Sequence, residues 1–546
     1  MTLIKSLLLG SAAGIVAVAT AQAADLPTRK AAPVEYVRVC NVGGITGWTL
    51  PGSDTCVKFS GYLTAQVEGG NLSTQYNYGS IGNALTASTT TLAPPIPAVV
   101  AGLTAASGFD SRNTQRVLIA ASAAQGNQTF NRNETGWTSR MNFGFDIASN
   151  TAYGPLIGHF DLNAESGNGF DNTGGYTYVN TGYVTWAGIT AGKAQSFYSF
   201  TGGGDNWANF ASPDQKGFNE PNLLAYTASF GGGFTATIAA QSPGCNGGGP
   251  NTTLGSNCTL PGGSGEGTDL TEGTLHYGGQ TWPDFVGALH VKQGWGEAQV
   301  SGVIHNVNVV DNAYNVAPFN LTTGSAGCGL TGLVPCNAEH NQIGWGIDAG
   351  VKVNLPSFGA GDDALITGSY TQSAVWYSGL PDMMWGENGQ VNGNGQSMYM
   401  SDAFFNPITN SWSKPTAWSV SALIEHHFTP QFYLDLEGSV GQLKWSNQGG
   451  GCSIIGLAGC TTASFATGAI SPSATTWLVG ADLGWSPVTN LNFDLELMYQ
   501  STNQSAPAGF LGTIYNWGQT NQFFVPGAWH GVSDGFAGRL RITRYF

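Results

Sequence analysis

The chain has 546 residues, a formal net charge of −15, and only 9% charged residues, with glycine at 80 positions. The acidic balance argues against nucleic acid as a partner, because nucleic-acid binding needs a basic surface. Soluble domains carry about 25% charged residues, so the low share fits strands that face lipid on one side, while a secreted β-rich soluble protein stays open as the alternative.

The first segment reads as a secretion signal. Lys5 precedes an apolar run over residues 7–19, and Ala21-Gln22-Ala23 supplies an A-x-A cleavage site. This pattern predicts a cleaved signal peptide over residues 1–23, and the run is shorter than the roughly 20 residues of a membrane helix. We therefore expect one mature domain over residues 24–546; an uncleaved anchor helix is the alternative.

Apolar and polar residues alternate with period 2 along many segments, which is typical of strands with one apolar face. In the clearest example, Leu491, Phe493, Leu495 and Leu497 alternate with Asn492, Asp494 and Glu496. The pattern predicts sixteen strands, over residues 57–68, 137–150, 156–165, 175–187, 189–197, 222–230, 234–241, 284–292, 298–308, 343–354, 363–371, 415–428, 431–445, 475–487, 490–501 and 534–546.

The connections between these strands alternate between short and long. Short ones include residues 151–155 and 231–233, and long ones, rich in Gly, Ser, Thr and Asn, include residues 69–136 and 372–414. Short turns at one end and long loops at the other are typical of outer-membrane barrels, which also have an even number of strands. The pattern predicts an all-β fold, a transmembrane antiparallel β-barrel with short periplasmic turns and long extracellular loops.

Eight cysteines occur as four pairs that are close in sequence. An even number in an exported chain suggests disulfides, although eight cysteines allow 105 connectivities, so pairing of nearest neighbours is a preference based on short loop closure. The neighbouring pairs are Cys40 and Cys56, Cys245 and Cys258, Cys328 and Cys336, and Cys452 and Cys460.

Several stretches resemble the porins of alphaproteobacteria, particularly those of rhizobia and Brucella-like bacteria. The N-terminal part carries the most specific likeness, in Tyr36-Val37-Arg38-Val39-Cys40 and Pro51-Gly52-Ser53-Asp54-Thr55-Cys56. Ala191-Gly192-Lys193-Ala194-Gln195 and Val351-Lys352-Val353-Asn354 are similar as well. The connection around residues 86–128 departs from the family pattern in its length and its Ala and Thr content.

This resemblance implies a sixteen-stranded barrel in outer-membrane lipid, assembled as a homotrimer, with a third loop folded into the lumen. The terminal Phe546 resembles the family's signal for barrel insertion. The implied function is passive diffusion of small hydrophilic solutes and ions. A solute-selective channel, for a sugar for example, and a barrel whose long loops serve adhesion are the alternatives.

If the apolar faces point to lipid, their polar partners line the lumen. There are eleven acidic candidates and six basic ones, and this excess of acidic groups predicts a weak preference for cations. The acidic candidates are Glu68, Asp146, Asp161, Glu165, Asp348, Glu425, Asp435, Glu437, Asp482, Asp494 and Glu496, and the basic ones are Lys58, Arg140, Lys292, Lys352, Arg539 and Arg541, with His159 as a further lining residue.

The third loop, roughly residues 198–220, is the predicted constriction. It carries Asp205, Asp214 and Glu220, and Lys193 precedes it. By resemblance, Lys193 is a basic wall residue opposite this loop, although a strand-end lysine that reaches the membrane interface is the plainer interpretation.

The sequence predicts no enzyme, no cofactor and no metal site. His426 and His427 are adjacent on a strand and so point to opposite faces, and the glycine runs lack the Lys and helix of a phosphate loop. No activated nucleophile stands out for an outer-membrane hydrolase.

Overall fold

The computed structural model describes residues 38–70, 135–168, 175–202, 214–217, 220–242, 275–277, 281–311, 339–380, 402, 404–406, 411–445, 473–504, 513–517, 521–525 and 532–546. In this part of the chain no helix has the length and apolar character needed to cross a membrane.

The described residues form 23 strands. They are β1 (Val39–Val42), β2 (Ile45–Thr49), β3 (Cys56–Gly70), β4 (Thr135–Thr151), β5 (Gly154–Asn168), β6 (Gly175–Trp186), β7 (Ile189–Lys193), β8 (Asn222–Gly231), β9 (Phe234–Gln241), β10 (Leu275–Tyr277), β11 (Asp284–Gln293), β12 (Gly296–Asp311), β13 (Glu339–Asn354), β14 (Asp363–Gln372), β15 (Phe404–Asn406), β16 (Ser411–Ser413), β17 (Pro415–Thr429), β18 (Phe432–Trp445), β19 (Ala474–Val488), β20 (Leu491–Gln504), β21 (Thr513–Trp517), β22 (Asn521–Val525) and β23 (Val532–Tyr545).

Sixteen of these strands close into one antiparallel barrel. Each pairs with the next along the chain, in the order β3 to β9, β11 to β14, β17 to β20 and β23. The last strand then pairs with the first, with Tyr545 opposite Tyr62 and Arg541 opposite Gln66, so that no barrel edge is left open. The predicted closed sixteen-stranded barrel is confirmed.

The barrel wall has an apolar outside and a polar inside. On β20, Leu495 and Leu497 are 45% and 59% exposed, whereas Asp494 and Glu496, which alternate with them, are 6% and 1% exposed. A water-soluble fold places its apolar residues inside, so this inverted arrangement matches a wall whose outer face contacts hydrocarbon. The alternative of a secreted soluble protein fails on this observation.

The short turns are built by residues that tolerate a left-handed backbone. Between β8 and β9, Gly231, Gly232 and Gly233 all have positive φ angles, of 82°, 61° and 82°. A Cβ on Gly233 would lie 1.9 Å from the carbonyl oxygen of Lys292, so only glycine fits there.

Beside the barrel, β1 and β2 form a hairpin that extends the sheet at the start of β3. A disulfide joins Cys40 to Cys56, with Cα atoms 5.7 Å apart. The hairpin packs through Val42 and Ile45 against Cys56 and Ala148. The other six cysteines lie outside the described residues.

Strand bounds differ from the predicted ones most clearly at β7. The sequence predicted a strand over residues 189–197, but β7 ends at Lys193. The Ala194 N–H donates to the carbonyl of Pro221 at 3.2 Å, and the chain then leaves the wall. Inward packing of Tyr198, which is fully buried, takes the place of further strand pairing.

Candidate functional site: the inner face of the barrel

Charged side chains form a row across the inner wall. Through cross-strand pairs, the row runs from β14 to β3 in the order Asp363, Glu425, Asp435, Asp482, Glu496, Arg539 and Glu68. The row therefore has a long acidic stretch, over β14 and β17 to β20, followed by a cation on β23.

Carboxylates lie directly opposite one another in the middle of this row. Asp435 and Asp482 are buried, and none of their four carboxylate oxygens has a hydrogen-bond donor among the described residues. The two carboxylate oxygens of Glu437, two residues further along β18, likewise have no hydrogen-bond donor among the described residues. Neighbouring carboxylates without donors repel one another, which favours a cation or a proton between them.

The next stretch of wall beyond β23, on β3 to β5, mixes both signs. Arg140 donates from Nε to Glu165 Oε1 at 2.5 Å, and His159 Nδ1 lies 2.6 Å from Asp146 Oδ1. Asn142 donates to Asp161 Oδ1 at 2.7 Å, and Lys58 pairs across strands with Asp146.

Three further basic candidates, Arg539, Lys352 and Lys292, lie at defined positions on the wall. Arg539 donates from Nη2 to Glu496 Oε2 at 2.8 Å, and both side chains are buried. Lys352 Nζ lies 3.1 Å from Asp363 Oδ2. Lys292, by contrast, sits at the short-turn end of β11 with its side chain 70% exposed, away from the middle of the wall.

The described parts of the third connection, residues 194–202, 214–217 and 220–221, reach wall strands beyond the two that this connection joins. The Tyr198 hydroxyl lies 2.8 Å from Ser369 Oγ on β14, and its carbonyl accepts from Ser301 Oγ on β12 at 2.6 Å. Lys216, buried near the other end of the connection, donates from Nζ to Ser419 and Ser421 on β17, at 2.8 and 3.0 Å. The described parts of the connection are thus fixed to the far wall.

The predicted constriction residues occupy different environments. Lys193 Nζ lies 3.2 Å from Glu220 Oε2 and also donates to the backbone carbonyls of Val179 and Asn180. Burial raises the pKa of Glu220 above its usual value, and the Lys193 charge partly offsets this. Asp214 is buried and accepts from Thr201 Oγ1 at 2.6 Å. Asp205 lies outside the described residues.

A second segment also folds inward, which the sequence did not predict. The connection after β14 was expected to be an external loop, but its start forms a 3₁₀ turn, Val375–Ser378, whose Val375, Tyr377 and Ser378 are buried. Tyr377 packs edge-on against Tyr198, with ring centroids 4.9 Å apart. The two inward segments therefore support each other, and an apolar cluster that includes Ala239, Val286 and Val303 backs them.

A buried polar network holds this second segment. The Tyr377 hydroxyl donates to Asp284 Oδ2 at 2.5 Å and accepts from Gln241 Nε2 at 2.9 Å. His305 Nδ1 lies 2.7 Å from Asp284 Oδ2, and its Nε2 lies 3.3 Å from Asp402 Oδ2. Burial raises the pKa of Asp402, and the facing His305 opposes that rise.

The sequence pattern does not predict this network, because its members come from four separate segments. The one local signal was the apolar run Ala374 to Tyr377 inside a connection rich in Gly and Asn. In the described part of the chain, no group of three or more His, Cys, Asp or Glu side chains could hold a metal ion.

The C-terminal Phe546 is paired rather than frayed. Its N–H donates to the carbonyl of Gly61 at 3.0 Å, and the N–H of Gly61 donates back at 3.2 Å. This places the terminal residue at the seam where the barrel closes.

Comparisons with known proteins agree with this geometry. The family model described as "Porin subfamily" matches residues 25–93 and 109–531. Porin Omp2a of Brucella ovis is 28% identical over 245 residues, which cover 44% of this chain and 60% of that protein. Porin Omp2b of Brucella abortus (strain 2308) is 28% identical over 313 residues, covering 56% of this chain and 67% of that protein.

Among solved structures, the outer membrane channel DcaP of Acinetobacter baumannii shares the fold. It is 10% identical with a TM-score of 0.50, and the alignment covers 92% of this chain and 99% of that one. Together the comparisons place the chain in the bacterial outer membrane.

Proposed function

Because the chain belongs to the porin family, we propose that its barrel is a water-filled channel for passive diffusion of small hydrophilic solutes and ions, with a weak preference for cations. The observation that carries the proposal is the inverted wall, with Leu495 outside and Glu496 inside on one strand. Charged groups that face inward need water or counter-ions, and a continuous inner surface of such groups gives a conducting path.

The two inward segments set the proposed size limit. The third connection and the Val375–Ser378 turn occupy the lumen at the level of β12 to β17. Solutes pass through the space that these segments leave, so exclusion depends on their anchoring to the wall. The proposed eyelet residues are Lys193, Glu220 and Asp214, together with Asp205, which lies outside the described residues.

Cation preference follows from the placement of charge. The acidic stretch of the row has carboxylates on five consecutive strands, β14 and β17 to β20, before Arg539 is reached. Low-dielectric walls focus this excess field into the lumen, which raises the local cation concentration.

Liposome swelling tests the diffusion function. Purified protein in vesicles should admit sugars at rates that fall steeply with solute size, because passage is limited by the narrowest ring. A rate that saturates for one sugar and excludes others of equal size would favour a solute-selective channel instead. The absence of any sugar entry would contradict the proposed channel function.

We also propose that residues 1–23 are removed on export and that the barrels assemble as a homotrimer in outer-membrane lipid. The A-x-A site at Ala21 to Ala23 supports the first, and family membership supports the second. N-terminal sequencing of the exported protein should begin at Ala24. Light scattering of the detergent-solubilised protein should give three copies of the chain.

A further inference from the structure

A recess of about 200 Å³ opens on the inner wall where the barrel closes, on β23, β3 and β4. Arg541 and Arg140 line it, together with the tyrosines Tyr62 and Tyr545 and the hydroxyl-bearing Thr64. Among the described residues that line it there are two guanidinium groups and no carboxylate. In a chain with a net charge of −15, such a concentration of positive charge is unusual.

Both arginines are held in fixed orientations. Arg541 donates from Nε and Nη2 to Gln66 Oε1, at 3.0 and 2.9 Å, and Gln66 is itself fixed by donating to Glu68 Oε2 at 3.0 Å. Arg140 is fixed through its Nε by Glu165. The guanidinium planes are therefore set before any ligand arrives, which lowers the entropy cost of binding.

Three carboxylates near the recess are not among the residues that line it. Glu165 holds Arg140, Glu68 lies beyond Gln66, and Asp494 lies opposite Arg541 in the cross-strand register. Glu165 orients Arg140 directly, and Glu68 orients Arg541 through Gln66. Paired guanidinium groups in such a setting suit a planar, two-oxygen anion, because carboxylates accept parallel hydrogen bonds from arginine.

The rest of the recess suits a ring that bears hydroxyl groups. Tyr62 and Tyr545 contact each other with ring centroids 6.0 Å apart and present apolar surface beside their hydroxyls. The hydroxyls of Thr64 and Thr543 lie 3.3 Å apart between the tyrosines and the arginines. The volume exceeds the roughly 150 Å³ of a cavity that holds one benzene molecule, so a six-membered ring fits.

We propose that this recess is a binding subsite for a small ring-shaped solute that carries a carboxylate and hydroxyl groups, such as a sugar acid. The carboxylate meets Arg541 and Arg140, and the ring lies against Tyr62 and Tyr545. The inference rests on the proposed channel function, because such a solute reaches the recess through the lumen. It adds a site for an anion to a lumen whose other walls favour cations.

Single-channel recording in a planar bilayer with D-glucuronate tests this subsite, with D-glucose as the uncharged control of the same ring. We expect glucuronate to lower the open-channel current in a saturable way, with half-saturation on the order of millimolar, and glucose to have no such effect. Arg541→Gln should raise the half-saturating concentration about tenfold, which corresponds to loss of one charged contact.

The control variant is Arg544→Gln. Arg544 lies three residues along the same strand, is exposed on the outer face, and donates to the carbonyl of Asn490 at 3.0 Å. Its loss removes the same charge and should leave the glucuronate effect unchanged.

Three results would overturn the subsite: open channels that glucuronate does not affect, equal block by glucose, or Arg541→Gln channels with unaltered block. These results leave the channel itself intact, since current still flows. Absence of any channel current contradicts the proposed function instead, so the two failures are distinguishable.

Discussion

Lys216 in the third connection donates from Nζ to Ser419 Oγ at 2.8 Å, and Ser419 lies on β17, six strands around the barrel from β8, where that connection ends. One buried cation thus ties the inward-folded connection to the far wall. Ser419 also donates to the carbonyl of Ser378 at 2.5 Å, so the same serine joins both inward segments.

Lys216→Met should loosen the third connection and raise single-channel conductance. The change removes hydrogen bonds from a buried charged donor, which contribute about 1.5–3 kcal/mol each. Lys444→Met is the matched control, because Lys444 is exposed near the end of β18. Equal conductance in Lys216→Met and wild type would show that the anchor does not set the opening.

Glu220 should make cation preference depend on pH. Because burial raises the pKa of Glu220, this carboxyl takes up a proton at higher pH than an ordinary glutamate. As the pH falls from neutral toward 4.5, the Lys193 charge loses its counter-charge, and the preference for cations should weaken. The zero-current potential in a salt gradient, measured across this range, reports the change.

The comparison variant is Glu220→Gln. It should show a weaker cation preference at neutral pH and a smaller change on acidification than wild type. A pH response identical to that of wild type would contradict the assignment of Glu220 to the eyelet.

Much of the barrel can be predicted from the sequence, because every second residue is apolar in a strand that has one side facing lipid. Leu495 and Glu496 show this, and the sixteen-strand count follows from the same pattern. The two inward segments cannot be predicted from this alternation. Tyr377 bonds to Asp284 and Gln241, which are 93 and 136 positions away, and no local period encodes such partners.

The positions at which strands begin and end are less predictable for a related reason. β7 was predicted to run through residue 197, but the burial of Tyr198 against β12 and β14 ends the wall pairing at Lys193. Tertiary packing, which the local alternation does not contain, decides that strand end.

The Cys40–Cys56 disulfide should stabilise the N-terminal hairpin rather than the barrel. The bridge closes a segment with a sequence separation of 16, for which chain-entropy arguments give about 3 kcal/mol. In a Cys40→Ser/Cys56→Ser protein, residues 39–49 should become sensitive to protease while the barrel strands remain protected. Unchanged protection of the hairpin would mean that packing of Val42 and Ile45 alone holds it.

Asp362 should make one short turn sensitive to acid. The backbone N–H of His427 donates to Asp362 Oδ1 at 2.8 Å, and His426 Nδ1 lies 2.6 Å from Oδ2; these contacts lower the pKa of Asp362 below 3.8. A lowered folded-state pKa gives a stabilising contribution that is present above 3.8 and is lost as the pH falls through the lowered value.

Hydrogen-exchange protection of the His427 amide, corrected for the intrinsic exchange rate, measures this contribution. Protection should decline as the pH drops below 3.8, and Asp362→Asn should show low protection at every pH. Protection that stays high in the variant would assign the stability of the turn to the backbone pairing of β14 with β17.

The acidic row on β17 to β20 is the basis of the central claim, and the zero-current potential of the reconstituted channel in a potassium chloride gradient tests it most directly. Wild-type channels should give a potential on the cation-selective side, and the double variant Asp435→Asn/Asp482→Asn should move it toward zero. A wild-type potential on the anion-selective side, or one that the double variant leaves unchanged, would contradict the assignment of these inward carboxylates to ion selection.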